Sequence, residues 1–306
     1  MRILITGGAG FIGSHLVEGF ASDGHDLVVL DDFSSGRREN LGDLSAEFGL
    51  IVGDLRDREV VRKSLRGVEA VIHHAAIASV PASLESPSET GSVNIQGTAL
   101  LLEESRRAEV SRVVLASSSA IYGEGLPPLG EGAPTLPLSP YGAHKLAGEH
   151  IARSISLAGG PDSVSLRYFN VYGPRQRDDS DYAAAIPIFF RRIEEGLNPL
   201  IYGDGTQTRD FVHVDDVVEA NRRAVTAPGR FDGESFNIAS GAPISIAALA
   251  GEILRIAESD LPIEFAPARA GDIVHSHASV EKLRAVFGWS PSISLADGLR
   301  SIIPAI

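Results

Sequence analysis

Tyr141 and Lys145 stand four residues apart in Ser139-Pro140-Tyr141-Gly142-Ala143-His144-Lys145. The segment after Pro140 reads as the start of a helix, which puts both side chains on one face. A phenol ordinarily loses its proton near pH ~10, and a neighbouring ammonium makes the phenolate easier to form. The pair can therefore supply a base near neutral pH. Tyr and Lys at this spacing also occur on ordinary helices, so its meaning depends on what else the chain carries.

A second cluster lies at the N-terminus. Gly7-Gly8-Ala9-Gly10-Phe11-Ile12-Gly13 follows a strand pattern and opens a helix pattern, and Gly7, Gly10 and Gly13 keep G-x-x-G-x-x-G spacing. Glycine lets the backbone turn tightly and approach a pyrophosphate, and the helix start, with Phe11 and Ile12 in its first turn, favours the phosphate charge. About twenty residues on, the second strand pattern ends at Asp31, where a carboxylate accepts hydrogen bonds from an adenosine ribose. Asp32 follows it. An acid here favours NAD over NADP because it repels a 2′-phosphate; Arg37 and Arg38 temper that preference. The plain alternative is a turn after a strand. Asp54-Leu55 follows the third strand pattern and could cover the adenine edge, or form a simple Asx turn.

The elements that must position these groups alternate along the first half. Strand patterns cover Arg2–Thr6, Asp26–Leu30, Ala46–Val52, Ala70–His73, Arg112–Ser117 and Ser163–Tyr168. Helix-period segments lie between them, among them Phe11–Ser22, Val93–Arg107 and Tyr141–Leu157. This alternation predicts an α/β fold, a Rossmann-type doubly wound parallel sheet with helices on both faces. Beyond about residue 170, Pro and Gly punctuate the chain and helices shorten. The reading is a NAD-binding domain over 1–170 and a smaller mixed α/β substrate domain over 171–306, with a segment near 206–226 returning to the first. The helix expected there is Val214–Val225. Asp178-Asp179-Ser180-Asp181 reads as a solvated acidic loop.

Composition excludes several classes. There are no cysteines, which removes disulfides, thiolate metal sites and cysteine nucleophiles and fits a cytoplasmic protein. The net charge of -13 argues against non-specific binding to nucleic acid or anionic lipid, so an anionic ligand needs its own local arginines. No apolar run reaches the ~18 residues of a membrane span. Met1–Thr6 reads as a strand and not as a signal peptide. His73, His74 and His144 have no spacing that converges on a metal. His74 reads as packing near the cofactor and His144 as a solvated helix residue.

Several motifs occur in order at fitting distances. They are Thr6-Gly7-Gly8-Ala9-Gly10-Phe11-Ile12-Gly13, His74-Ala75-Ala76, Ser117-Ser118-Ser119-Ala120-Ile121-Tyr122-Gly123 and Tyr141-x-x-x-Lys145. Arg167-Tyr168-Phe169-Asn170-Val171-Tyr172-Gly173-Pro174 and Arg209-Asp210-Phe211-Val212-His213-Val214-Asp215-Asp216 follow. Together they resemble the extended short-chain dehydrogenase/reductases, and within them the nucleotide-sugar 4-epimerases. The resemblance covers nearly the whole chain. It implies a tightly held, recycled NAD, contacted also by His74, Ala75, Ala76 and Tyr168. It implies that Tyr141, as phenolate, takes the proton of the sugar 4-hydroxyl while C4 gives its hydride to NAD. The 4-keto sugar then turns, and the hydride returns to its other face. Lys145 would bind the nicotinamide ribose and lower the Tyr141 pKa. Ser118 matches the catalytic hydroxyl that bridges substrate and Tyr141, with Ser117 and Ser119 as flanking substitutes.

The resemblance also speaks to the substrate. Sugar-nucleotide 4,6-dehydratases place an Asp-Glu pair directly after the catalytic hydroxyl, where this chain has Ser119 and Ala120. Arg209 and Arg269 match the arginines that grip the diphosphate of a UDP-sugar, and Asn170 matches a diphosphate or sugar contact. Ser119 is a further substrate contact. Epimerases restricted to glucose and galactose tend to carry an Asn at the position of Ala184 and a bulky residue at that of Ser276. Small side chains at both places leave room for a 2-N-acetyl group, so the expected substrates are the UDP-N-acetylhexosamine pair alongside UDP-glucose and UDP-galactose. Two alternatives stay open: a UDP-glucuronate epimerase or decarboxylase on the same scaffold, and a catalytically silent NAD-binding regulatory module. The resemblance further implies a homodimer through the helices near 93–107 and 141–157, where Ala143, Ala147 and Ala152 offer small residues.

Overall fold

Apolar, β-branched runs need partners on both faces, and here each becomes a buried parallel strand. The computed structural model describes residues 1–46, 48–177, 184–268 and 273–303. In chain order its elements begin with β1 (Arg2–Thr6), α1 (Phe11–Ser22), β2 (Asp26–Asp31), β3 (Gly49–Val52), α2 (Arg58–Ser64) and β4 (Ala70–His73). Then come α3 (Val80–Glu85), α4 (Pro87–Gly91), α5 (Thr98–Arg107), β5 (Arg112–Ser118), α6 (Pro140–Leu157) and β6 (Asp162–Tyr168). The remainder is β7 (Asn170–Tyr172), α7 (Ala185–Glu194), β8 (Leu200–Tyr202), β9 (Thr208–Arg209), β10 (Phe211–His213), α8 (Val214–Thr226) and β11 (Glu234–Ile238). It ends with β12 (Ile244–Ser245), α9 (Ile246–Ile256), β13 (Glu264–Ala266), β14 (His275–Ser276), α10 (Glu281–Phe287) and α11 (Leu295–Arg300).

One seven-stranded sheet runs in the order β11-β6-β5-β4-β1-β2-β3. The pairs from β6 to β3 are parallel. This is the expected Rossmann-type sheet. The order turns back between β1 and β4, and in doubly wound sheets ligands bind beyond the carboxyl ends of the strands at such a point. Ile3, Leu4 and Ile5 of β1 are fully buried, as a central strand requires.

The chain divides into two compact units. The first comprises Met1–Gly123, Pro134–Tyr168 and Val218–Phe236; the second comprises Glu124–Ala133, Phe169–Val217 and Asn237–Ile306. The segment rejoining the first unit thus starts at Val218, later than the 206 expected from sequence, and Glu124–Ala133 belongs to the second. The core of the first unit gathers residues such as Leu4, Val28, Val71, Leu101 and Val113. The second has its own core, built on Phe189, Phe211, Leu249 and Ile253, and mixed small sheets: β7 with β10, β12 with β9 and β14, and β8 with β13. Among the described residues no helix is long and apolar enough to cross a membrane.

Three local readings change. The third strand begins at Gly49 rather than Ala46, because pairing with β2 starts at Val28 opposite Gly49 while the chain up to Ala46 is wound into a 3-10 segment. The helix expected over 93–107 is interrupted by a π-turn, Ser92–Gly97, before α5. Ala143, Ala147 and Ala152 do not form one surface: Ala143 is exposed, whereas Ala152 is 1% exposed and belongs to the first core.

Candidate active site

Ser139 starts α6 as its N-cap, accepting the Gly142 N–H at 3.2 Å, and Pro140 occupies the first turn, where a missing N–H costs nothing. Tyr141 therefore sits in the first turn, with its own N–H donated to Ser83 Oγ at 3.1 Å. The positive end of the helix dipole favours a phenolate there. Lys145 follows one turn later, with its Nζ 5.9 Å from the Tyr141 ring centroid.

Ser118 ends β5 in an extended conformation and caps the short 3-10 turn Ser119–Ile121. Its Oγ accepts the Ala120 N–H at 3.1 Å, and the hydroxyl is near enough to the Tyr141 phenol to favour the phenolate. Ser118 thus pulls the Tyr141 pKa down, but burial outweighs it and the net shift is upward. The Lys145 ammonium lies over the ring and donates to Ala116 O at 2.8 Å. Burial lowers the pKa of Lys145 itself to about 8.

The nucleotide turn joins β1 to α1. Gly7 has φ +70°, and a Cβ there would meet Ala75 N at 2.7 Å; a Cβ on Gly13 would overlap Gly7 O. Only glycine allows this close backbone approach. The first helical hydrogen bond runs from Ser14 N–H to Gly10 O, so the amides of Phe11, Ile12 and Gly13 precede it, and no side chain caps them. Such amides at a side-chain-free turn fit a pyrophosphate. Asp31, buried at the end of β2, accepts Ala9 N–H and Phe33 N–H, each at 2.8 Å. Burial raises its pKa while the two amides oppose the shift. Each oxygen keeps a second lone pair, which suits a ribose diol. Asp32 is exposed and closes a turn with Ser34.

Other expected cofactor contacts are placed less directly. The Asp54 carboxylate is engaged by Arg56, through its amide at 2.8 Å and its guanidinium at 2.6 Å, so the Asx-turn reading describes it. Leu55 is 5% exposed and packs in the core against Gly97. The Ala75 N–H donates to Thr6 Oγ1 at 3.2 Å, and Asn94 in the π-turn clamps Ile77 just after Ala76, accepting its N–H at 2.8 Å and donating to its carbonyl at 3.0 Å. His74 stacks on Tyr168 at 5.5 Å and shares a hydrogen bond with its hydroxyl at 3.1 Å; the Tyr168 oxygen also accepts Asn221 Nδ2 at 2.9 Å. Tyr168 is 6% exposed, with His74 against its ring and hydroxyl. Burial lowers the pKa values of His73 and His74 to about 3, so both are neutral at pH 7. His144 is not solvated as expected: it is 8% exposed and faces Gly91.

In the second unit a cavity of about 260 Å³ is lined by Asn170, Ala184 and Arg209 together with Tyr172, Tyr202 and Phe211. Three expected substrate contacts therefore meet there. Asn170 Nδ2 donates to Asp210 O at 3.2 Å, and Ala184 is the exposed residue just before α7. Ser276 is not in the cavity lining but stands beside Arg209 across the β14–β9 pairing and is 9% exposed. Arg269 and the acidic run 178–181 lie outside the described residues. Among the described residues no group of three or more His, Asp or Glu is placed to hold a metal ion.

The sequence model described as the NAD dependent epimerase/dehydratase family matches residues 3–239. The chain belongs to this family. As a member it is an NAD-dependent enzyme, and the glycine turn and Asp31 fit that cofactor. A UDP-glucose 4-epimerase of Mycolicibacterium smegmatis is 38% identical over 99% of this chain and 97% of its own length. A UDP-N-acetyl-alpha-D-glucosaminuronate decarboxylase of Bacillus cytotoxicus is 33% identical over 99% and 96%. Among solved structures, the UDP-N-acetylglucosamine 4-epimerase of Methanobrevibacter ruminantium M1, in complex with UDP-N-acetylmuramic acid, superposes with a TM-score of 0.94 at 37% identity, covering 98% of this chain and 96% of that one.

The sequence reading missed the support behind these groups. Glu149 and Arg167 form a buried ion pair, and Asp210 holds two loops of the second unit. Glu149 was visible four residues beyond Lys145, and Arg167 and Asp210 lay within quoted motifs. Nothing about their residue types announced what they hold.

Proposed function

We propose that the chain is an NAD-dependent UDP-sugar 4-epimerase that accepts UDP-glucose and UDP-galactose and also the corresponding 2-N-acetyl pair. A UDP-sugar epimerase agrees with the family and with the relatives of that activity. The observation that carries the reading is the Ser118–Tyr141 hydroxyl pair, one helical turn from Lys145, on the strand next but one to the glycine-turn strand. The first unit is assigned to NAD and the second to the UDP-sugar.

Bound NAD would supply a hydride acceptor and donor at C4. Tyr141 would take the proton of the 4-hydroxyl as C4 is oxidised, and would return a proton to the 4-keto oxygen as C4 is reduced on its opposite face. Ser118, with its single O–H, bridges the reacting oxygen and Tyr141, donating to one of them at a time. Lys145, charged below about pH 8, holds a ribose hydroxyl and adds positive charge to the site. Asn170, Arg209 and Arg269 take the diphosphate. Ala184 and Ser276 leave room for the N-acetyl group. Ser119 and Ala120, in place of an acid–base pair, leave elimination at C6 without its proton donor and acceptor.

A second reading is action on a UDP-uronate, favoured by the decarboxylase relative. Incubation with UDP-glucose, UDP-galactose, their N-acetyl forms and UDP-glucuronate, with products resolved by NMR, separates the two. Inverted C4 in the first four supports the epimerase; loss of carbon dioxide or turnover of the uronate alone replaces it. A protein that retains NAD and converts none is the silent module. A homodimer is part of the proposal, and sedimentation of a monomer at micromolar concentration rejects it.

A further inference from the structure

Tyr141, Lys145 and Glu149 form one i, i+4, i+8 row along α6, and three consecutive residues of β5 receive them. Tyr141 meets Ser118 Oγ. Lys145 Nζ donates to Ala116 O at 2.8 Å. Glu149 Oε1 accepts Ser117 Oγ at 2.5 Å. The first two contacts belong to the proposed chemistry; the third lies behind it and touches no candidate ligand.

Glu149 is the hub of a buried network. Arg167 grips it with a fork, Nε to Oε1 at 2.9 Å and Nη2 to Oε2 at 2.7 Å, and Ser235 Oγ donates to Oε2 at 3.1 Å. The remaining guanidinium nitrogen, Nη1, donates to Tyr122 O–H at 2.9 Å, just after the turn that Ser118 caps. The carboxylate and guanidinium side chains are 6% and 8% exposed. Parallel pairing aligns Ser117 with Arg167 and, one step on, Ser118 with Tyr168. The ion pair therefore sits directly beneath the residues whose positions the chemistry needs.

A buried ion pair is a poor device for stability, because desolvation cancels most of its attraction and apolar side chains of similar volume do as well. Its distinctive property is direction: the fork fixes α6 relative to β5 and β6 in one register. We propose that Glu149 and Arg167 are positioning residues, an ionic register pin that sets the placement of Tyr141 on α6 relative to Ser118 on β5. The proposal rests on the epimerase reading for its kinetic consequence but not for its structural one. Misplacement of reacting groups by about 1 Å costs on the order of 100-fold in rate.

The test compares wild type, Glu149→Leu/Arg167→Met and Ser117→Ala. Each is assayed for thermal midpoint, kcat and KM on the UDP-sugars. The midpoint of Tyr141 ionisation is also read, from ultraviolet phenolate absorbance after subtracting the same variant carrying Tyr141→Phe. The double variant is expected to fold, to lose about 100-fold in kcat at unchanged KM, and to ionise Tyr141 at higher pH because Ser118 moves away from the phenol. Ser117→Ala keeps the ion pair and is expected to shift both readouts in the same direction by less; it decides the matter if the double variant does not fold. Unchanged kcat and unchanged Tyr141 ionisation in a folded variant overturn the proposal, as does a fall in thermal midpoint alone. If wild type epimerises no UDP-sugar, the functional reading fails while the ionisation midpoints still judge the pin.

Discussion

Glu149 in the first unit and Asp210 in the second are both buried carboxylates behind candidate site residues, and their partners differ in kind. Glu149 is gripped by a guanidinium and two hydroxyls from other elements. Asp210, fully buried beside Arg209, is held by the Ser240 hydroxyl at 2.6 Å and by the amides of Ser240 at 2.8 Å, Gly241 at 3.1 Å and Ala278 at 3.3 Å. Burial raises its pKa and these donors pull it back. One anchor is built from side chains on long elements; the other gathers loops that carry short strands of two or three residues. The first suits chemistry, which needs fixed reacting atoms. The second suits recognition, where loops can differ among relatives while the sheet stays.

That contrast predicts that variants in the first unit reduce kcat and variants in the second raise KM. Lys145→Met should be the most damaging short of Tyr141 itself, lowering kcat by about 100-fold or more in steady-state assays and weakening NAD retention. Equal damage to KM alone would blur the contrast. Arg209→Ala should raise KM for the UDP-sugar by about 10- to 100-fold, the worth of a charge-assisted hydrogen bond, with kcat nearly kept. Ser276→Tyr should cut kcat/KM for the N-acetyl pair by about tenfold while sparing UDP-glucose. Intact turnover of the N-acetyl pair removes Ser276 as a gate.

The smallest effect concerns stability. Asp210→Asn turns one acceptor into a donor facing backbone amides, and should cost about 1–3 kcal/mol in denaturant unfolding at neutral pH. The pH dependence has a definite sign. A carboxyl whose folded pKa is raised above 3.8 contributes stability that is complete below that value and is lost as pH rises through the folded pKa. The gap between wild type and Asp210→Asn should therefore widen as the medium is acidified through this window. A gap that narrows shows that burial does not govern the group.

The same contrast explains what the sequence disclosed. The sheet was legible because buried parallel strands demand β-branched runs, and Arg2–Thr6 and Ala70–His73 emerged with their bounds unchanged. Gly7 was legible because its φ of +70° and the 2.7 Å at which a Cβ would meet Ala75 N tolerate nothing else. The π-turn at Ser92–Gly97 was not, and its Asn94 bonds Ile77, seventeen residues away, a contact that local periodicity does not carry. The anchoring of Asp210 was hidden for a simpler reason: any residue type supplies an amide N–H. Spacing along the helix shows the proximity of Lys145 to Tyr141 but not that burial pushes the phenol pKa upward.

The central claim is that Tyr141 is the base of a C4 epimerisation. Wild type and Tyr141→Phe, each confirmed to carry NAD, are incubated with UDP-glucose, and the configuration at C4 is read by NMR. The account predicts UDP-galactose from wild type and a rate lower by about 1,000-fold from the variant. Inversion by Tyr141→Phe at the wild-type rate contradicts it.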